Sequence, residues 1–260
     1  LEAVYELPFL AHAALEPMNC TVHVHDGACD IWVGTQIPGI AQAVAAGILG
    51  IPAEKVTIHN HLIGGGFGRR LEADGIAHAV KIARQVSGPV KVVWSREEDI
   101  RHDMYRPYYY DRLQAGLDAE GRPVAWTHRV SGSSIMARFA PAAVVNGVDP
   151  DGVEGAAEPP YAFPAIRVEF QRVEPRHVPT SWWRGVGPTH NIFVVESFID
   201  ELSAAAGADP VAYRRSLLDT NPRARAVLDR AAEAAGWGGA LPAVHGLGLA
   251  LQYAFFSYLA

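Results

Sequence analysis

Four glycines around one aromatic, closed by two arginines, carry the most chemistry in this chain: Gly64-Gly65-Gly66-Phe67-Gly68-Arg69-Arg70. Glycine reaches positive φ without a Cβ penalty and lets a ligand lie against bare backbone. A β-like segment, 56–63, precedes the loop and a helical pattern, Leu71 through Arg84, follows it. Strand, glycine loop and helix together bring backbone N–H groups and a positive helix end against an anion. The guanidinium forks of Arg69 and Arg70 suit phosphate oxygens. A phosphate-bearing cofactor is therefore expected at the loop. It is not a P-loop, because no Lys-Ser or Lys-Thr follows. It also fails the dinucleotide-fold spacing, which needs a small residue at Arg69.

Other stretches offer chemistry with a plainer alternative beside it. Trp182-Trp183-Arg184-Gly185-Val186-Gly187-Pro188 places an arginine and glycines before a helix expected from Asn191, or is simply a helix entry packed on aromatics. Val33-Gly34-Thr35-Gln36-Ile37-Pro38 delivers one amide side chain to a turn, where Gln36 alone is ordinarily a turn residue. His23-x-His25 and His59-x-His61 each place two imidazoles on one strand face. No third ligand has motif spacing, so surface histidines are favoured over a protein-held metal. Glu97, Glu98, Asp99 and Asp103 alternate with arginines and read as a solvated helix face. Ser131-Gly132-Ser133-Ser134 lacks the nucleophile elbow of hydrolases.

The elements that must position these residues follow from pattern and punctuation. A hairpin turns at Asp26-Gly27, and a helix runs from Pro38 to Leu49 with a Gly50 stop. Strands are expected at 90–94, 108–117, 124–130 and 166–173, and helices at 191–206, 210–219 and 222–235. Residues 132–162 read as a long irregular connection. The fold class is α+β, with mixed sheets and packed helices. Two regions are expected, 1–190 and 191–260.

The chain has 260 residues, 49% of them hydrophobic and 19% charged, enough for a substantial core. A net charge of −6 without basic blocks argues against nucleic acid as a partner. Cys20 and Cys29 are too few for an iron–sulfur cluster and read as buried thiols, a cross-hairpin disulfide being the alternative. No apolar run is long enough for a membrane span, and no export signal is visible. The apolar run at 249–260 suggests a piece of something larger.

Taken in order, Thr35-Gln36-x-Pro38, Leu49-Gly50-Ile51-Pro52-x-x-Lys55-Val56, the glycine loop with Arg69, and Trp183-Arg184-Gly185-Val186-Gly187 resemble the large subunit of molybdenum hydroxylases, the xanthine dehydrogenase and aldehyde oxidase relatives. His12-Ala13-x-Leu15-Glu16-Pro17, Glu196-x-x-Ile199-Asp200-Glu201 and Gly207-x-Asp209-Pro210 fit as well. Arg69-Arg70-Leu71-Glu72 and Trp94-Ser95-Arg96-Glu97-Glu98-Asp99 look most like the branch represented by the isoquinoline 1-oxidoreductase beta subunit. The resemblance implies the first molybdopterin-binding domain of that fold, with 191–260 holding a helical segment and the start of a second, truncated cofactor-binding region.

It also implies a molybdenum-dependent oxidoreductase that inserts water-derived oxygen into an N-heterocycle or aldehyde. Gln36, Gly65, Gly66, Phe67, Gly68, Arg69, Arg184 and Gly185 are the implied cofactor-binding residues, and Val186 the implied substrate-pocket residue. Molybdopterin cytosine dinucleotide is the implied cofactor, with molybdenum held through the pterin and not by protein ligands. Catalytic residues are expected to be absent from the chain, the family's general-base glutamate falling beyond residue 260. Partners are the remainder of the large subunit, a small subunit with 2Fe–2S clusters and a small-molecule substrate. The family's Gly-Lys-Glu continuation is replaced by Arg69-Arg70-Leu71, which points away from purines. The compartment, cytoplasmic or periplasmic, is open. The alternative is a non-catalytic truncated or split-gene domain acting as a binding or assembly module.

Overall fold

Two four-stranded sheets organise the chain in the computed structural model, which describes residues 1–260. The strands are β1 (Glu2–Leu7), β2 (Asn19–His25), β3 (Ala28–Val33), β4 (Val56–Asn60), β5 (Val90–Val93), β6 (Tyr109–Leu117), β7 (Pro123–Gly132), β8 (Ile166–Arg172), β9 (Gln252–Ala254) and β10 (Ser257–Leu259). The helices are α1 (Pro38–Leu49), α2 (Asp74–Ala83), α3 (Arg96–Arg101), α4 (Met136–Phe139), α5 (Pro150–Val153), α6 (Val186–Ala205), α7 (Pro210–Ser216) and α8 (Pro222–Ala234). Residues 9–107 and 175–184 form one unit; residues 1–8, 108–174 and 185–260 form the other. The boundary expected at residue 190 falls inside α6.

The first of these units carries the sheet β4-β3-β2-β5, in which β3 and β4 are parallel and the other pairs antiparallel. Asp26 and Gly27, at φ 44° and 71°, supply the two left-handed positions of a tight hairpin turn. Alternation sends Cys20, Val22, Cys29, Ile31, Val33 and Val56 to one face. Ala41 and Ala45 of α1 and Ile76, Ala79 and Val80 of α2 cover it. Pro38 pre-sets the first turn of α1, and Gly50 closes it at φ 69°, donating to the Ala46 carbonyl. Cys20 lies opposite Val92 and Cys29 opposite Val24, so the two buried thiols are not cross-strand partners and remain free.

The other unit is built on the sheet β1-β6-β7-β8, with β7 and β8 parallel. Its inward residues Leu113, Trp126 and Val130 meet Val194, Val195, Phe198, Ile199 and Leu202 of α6 in one core. Trp126 and Phe198 meet edge to face with centroids 5.1 Å apart. Asp209 and Asn221 cap α7 and α8, each followed by a proline at the first helical position. The expected irregular stretch at 132–162 contains α4, α5 and a short 3-10 turn at Pro141–Ala143. Buried Asp149 organises it, accepting from Ser134 Oγ and from the amides of Met136, Asp151 and Gly152.

Candidate functional site

Strand β4 ends three residues earlier than its apolar pattern suggests, because Asn60 turns its side chain onto the β3 exit. Its Oδ1 accepts from Thr35 N (2.9 Å) and its Nδ2 donates to Thr35 O (3.1 Å). The glycine loop then departs, fastened by Glu16 and Arg70. Gly64 N donates to Glu16 Oε2 at 2.8 Å, and Glu16 N donates back to Gly64 O at 3.0 Å. Buried Arg70 donates from Nε to Gly65 O, from Nη1 to Gly34 O and from Nη2 to Glu16 Oε2, at 2.9–3.0 Å. Burial holds the Arg70 guanidinium below its ordinary pKa, with Glu16 opposing that shift.

What the loop leaves open is backbone. Gly65, Phe67 and Gly68 stand at φ 98°, 55° and 108°. The amides of Gly65, Gly66, Phe67 and Gly68 reach no acceptor in the chain. Successive N–H groups in such conformations make an anion-binding concavity. Beside Gly66 lies Gln36, exposed, its carboxamide Oε1 2.6 Å from where a Cβ on Gly66 would be. The Phe67 ring folds back toward Gly65, whose missing Cβ would meet it at 3.0 Å.

Two expectations for this stretch are corrected. The helix does not begin at Leu71: a 3-10 turn covers Arg69–Leu71 and α2 starts at Asp74, so the loop does not sit on a helix N-terminus. Nor do the arginine forks face outward. Arg69 makes a two-pronged bond to Asp74, with Nη1 and Nη2 each 2.8 Å from a carboxylate oxygen. Its Nε lies 3.0 Å from Asp103 Oδ1, an ion-pair contact whose angle is not that of a hydrogen bond. Burial opposes the Arg69 charge, yet Asp74 and Asp103 outweigh it and raise its pKa. Against the same burial penalty, Arg69 holds the Asp74 carboxyl below the usual carboxylate range.

Residues to which the sequence reading gives no part in the site complete this region. Buried Asp103 takes His12 Nδ1 at 3.0 Å and Met104 N at 2.7 Å. His12 Nε2 lies 2.8 Å from the Trp182 carbonyl oxygen, and Ser181 Oγ donates to buried Glu72. The same Trp182 oxygen would be 2.0 Å from a Cβ on Gly68, so the 181–184 segment rests directly on the glycine loop. The buried indole N–H of Trp183 has no acceptor in the chain. Asp99, expected on a solvated helix face, is buried and accepts from Met18 N at 3.1 Å; Asp103 is buried as well. That part of the carboxylate cluster is structural.

Arg184 is exposed at the end of this unit, and Gly185 and Val186 open α6 in the other. The helix starts five residues earlier than expected. Gly185 at φ 86° is its cap, and a Cβ there would meet Thr189 Oγ1 at 2.3 Å. Val186 follows at φ 51°, a left-handed conformation that a β-branched residue adopts only under constraint. Gly187 is required by packing, since its Cβ would strike the Asp151 carbonyl oxygen at 2.2 Å.

One histidine pair follows its spacing, the His23 and His25 rings of β2 lying 4.6 Å apart, and the other does not. His61 lies past the end of β4, so His59-x-His61 does not share a strand face. His25 and His59 instead converge on Asp30, at 2.8 and 2.7 Å, and these hydrogen bonds, His25 first, hold the Asp30 carboxyl low. No group of three or more His, Cys, Asp or Glu side chains is arranged to hold a metal ion. No helix is long and apolar enough to cross a membrane.

Comparison with known proteins matches residues 1–218 to the molybdopterin cofactor-binding domain family. The beta subunit of isoquinoline 1-oxidoreductase from Brevundimonas diminuta is 36% identical, over 99% of this chain and 32% of that protein. One nicotinate dehydrogenase subunit of Pseudomonas putida is 31% identical, over 91% of this chain and 20% of that protein. The chain thus spans a third or less of these relatives' length. Among solved structures, quinoline 2-oxidoreductase from Pseudomonas putida 86 shares the fold, with a TM-score of 0.75 at 17% identity over 91% of this chain and 32% of that one. From motif order, loop geometry and these matches together, the chain belongs to the molybdopterin cofactor-binding domain family.

Proposed function

We propose that this chain forms one wall of a molybdopterin site in a molybdenum-dependent hydroxylase. The observation that carries the reading is the run of four amides, Gly65 to Gly68, that find no acceptor in the chain, with the Gln36 carboxamide beside Gly66. A pterin with phosphate and dithiolene groups is rich in acceptors and anionic charge, and bare backbone donors suit it. The acceptor-less indole N–H of Trp183, one residue before Arg184, is a further donor of that kind. The residues present therefore fit the group.

Each residue then has a task. Gln36 and the Gly65–Gly68 backbone bind and orient the cofactor, with Phe67 limiting water at the loop. Arg69 contributes by fixing the loop from behind, through Asp74 and Asp103. Arg184 and Gly185 are assigned to cofactor contacts and Val186 to substrate contact by their place in the family motif. When bound, the cofactor supplies a two-electron acceptor for a hydroxylation whose oxygen comes from water. The cytosine dinucleotide form is the one we assign, with the rest of a large subunit and a small iron–sulfur subunit as partners. An N-heterocycle or aldehyde is the substrate class.

The test is co-expression of the full subunit carrying this chain with its iron–sulfur partner, then turnover of N-heterocycles and aldehydes in heavy-oxygen water. Label in the product supports the reading. A complex that contains no molybdenum overturns it in favour of an assembly or binding module.

A further inference from the structure

Three groups meet behind the glycine loop: the Cα of Gly68, the carbonyl oxygen of Trp182 and the ring of His12. A Cβ on Gly68 would stand 2.0 Å from the Trp182 oxygen and 3.2 Å from His12 Nε2. The His12 side chain is 1% exposed and that of Asp103 is 2% exposed. Both ring nitrogens face oxygens that only accept: Nδ1 meets the Asp103 carboxylate at 3.0 and 3.2 Å, and Nε2 meets the Trp182 carbonyl at 2.8 Å. Neutral imidazole carries one N–H, whereas imidazolium carries two. The two contacts are hydrogen bonds together only in the imidazolium.

We propose that His12 is a positioning residue whose imidazolium ties the glycine loop to the Trp182–Arg184 segment, so that the hold on the loop follows protonation of this ring. The charges around it close on themselves. Asp103, following α3, faces His12 and also Arg69 Nε at 3.0 Å. Arg69 is paired in turn with Asp74 at the start of α2, and Asp99 of α3 adds a further negative charge toward Arg69. Beside Trp182, Ser181 donates to Glu72. With His12 protonated, its charge is met at close range by Asp103, and the neighbouring Arg69 by Asp74.

Loss of the ring proton leaves Nδ1–H on the stronger acceptor, Asp103, and removes the donor from the Trp182 carbonyl. That carbonyl is the surface on which Gly68 rests, so the neutral ring loosens the loop and the segment together. The consequence for cofactor holding rests on the function proposed above. The device itself does not, because it is built from protein groups alone.

Hydrogen exchange read by mass spectrometry on the full chain, with or without bound molybdenum, separates the two. After correction for intrinsic rates, protection of the Arg69, Leu71 and Ser181 amides, which donate to the Gly66, Gly68 and Tyr105 carbonyls, is expected to fall about tenfold between about pH 5 and pH 9, the size of one charge-assisted hydrogen bond. His12→Gln keeps a non-titrating donor toward Trp182 and is expected to flatten that profile. His12→Asn, too short to reach Trp182, is expected to show the loosened state at every pH. Wild-type protection that stays level across this range overturns the proposal, whatever the variants do. So do Gln and Asn variants that protect equally.

Discussion

Gln36 Oε1 lies 2.6 Å from the position a Cβ on Gly66 would take. A side chain at position 66 would push aside the Gln36 carboxamide, the far end of an exposed side chain. The two residues are thirty apart in sequence and meet because β3 and β4 are parallel neighbours. The exits of both strands are sewn together by Asn60 and Thr35.

Gly68→Ala tests the contact behind the loop. Its Cβ would stand 2.0 Å from a carbonyl oxygen at a backbone φ of 108°. A loss of about 2–4 kcal/mol is expected from strain and overlap. Gly27→Ala, at φ 71° with nothing within 4 Å of the new Cβ, bears strain alone and is expected to lose about 1–2 kcal/mol. Denaturant midpoints of the two variants measure the difference.

Asp74 sets an acid limit. Its carboxyl is lower in the folded chain than in the unfolded one, because Arg69 outweighs the burial penalty. A lowered carboxyl contributes stability that is fully present above its unfolded pKa, about 3.9. That contribution is lost as pH falls through the folded value. Asp74→Asn is expected to reduce stability near neutrality and to flatten its fall below about pH 4. Urea denaturation across pH reads both effects.

The two cysteines are expected to be inert. Burial pushes the Cys20 thiol up to about 12 and the Cys29 thiol up to about 11. The reactive thiolate is scarce in both near neutrality. Iodoacetamide at neutral pH is expected to leave both unlabelled in the folded chain and to label both in denaturant, as read by mass spectrometry.

In the other unit, Glu196 of α6 gathers Tyr161 Oη at 2.8 Å, Arg214 Nε at 3.0 Å and Leu251 N at 2.7 Å. Arg214 also reaches Asp200 at 2.6 Å. Removing the cation leaves a buried carboxylate uncompensated. Arg214→Leu is expected to cost about 3–5 kcal/mol, and Tyr161→Phe about 1–2 kcal/mol. Thermal unfolding of both variants checks the order.

What was legible in the sequence had a local cause. Asp26-Gly27 specify a left-handed hairpin turn, and Asp209-Pro210 and Asn221-Pro222 announce helix starts, within a few residues each. Motif order carried the family, and the glycine loop pointed to backbone donors. Partners of the buried charges were not legible. His12 and Asp103 are separated by 91 positions, and Asp103 sits in a charged run that resembles any solvated helix face. Arg69 and Arg70 have the composition of a phosphate clamp, and only the fold turns them inward. The start of α6 was missed because Gly185 and Val186 reach it through left-handed backbone, which apolar periodicity does not encode.

Molybdenum per chain in the full complex, wild type against Gly66→Ala, tests most directly whether this loop holds the cofactor. A Cβ at 66 displaces the Gln36 carboxamide beside the open amides, while Gly66→Ala leaves both cores untouched. The wild type is expected to carry molybdenum, and Gly66→Ala to lose most of it while keeping its secondary structure and its partners. Equal molybdenum in the two proteins, with the variant folded and assembled, would contradict a cofactor seated on this loop.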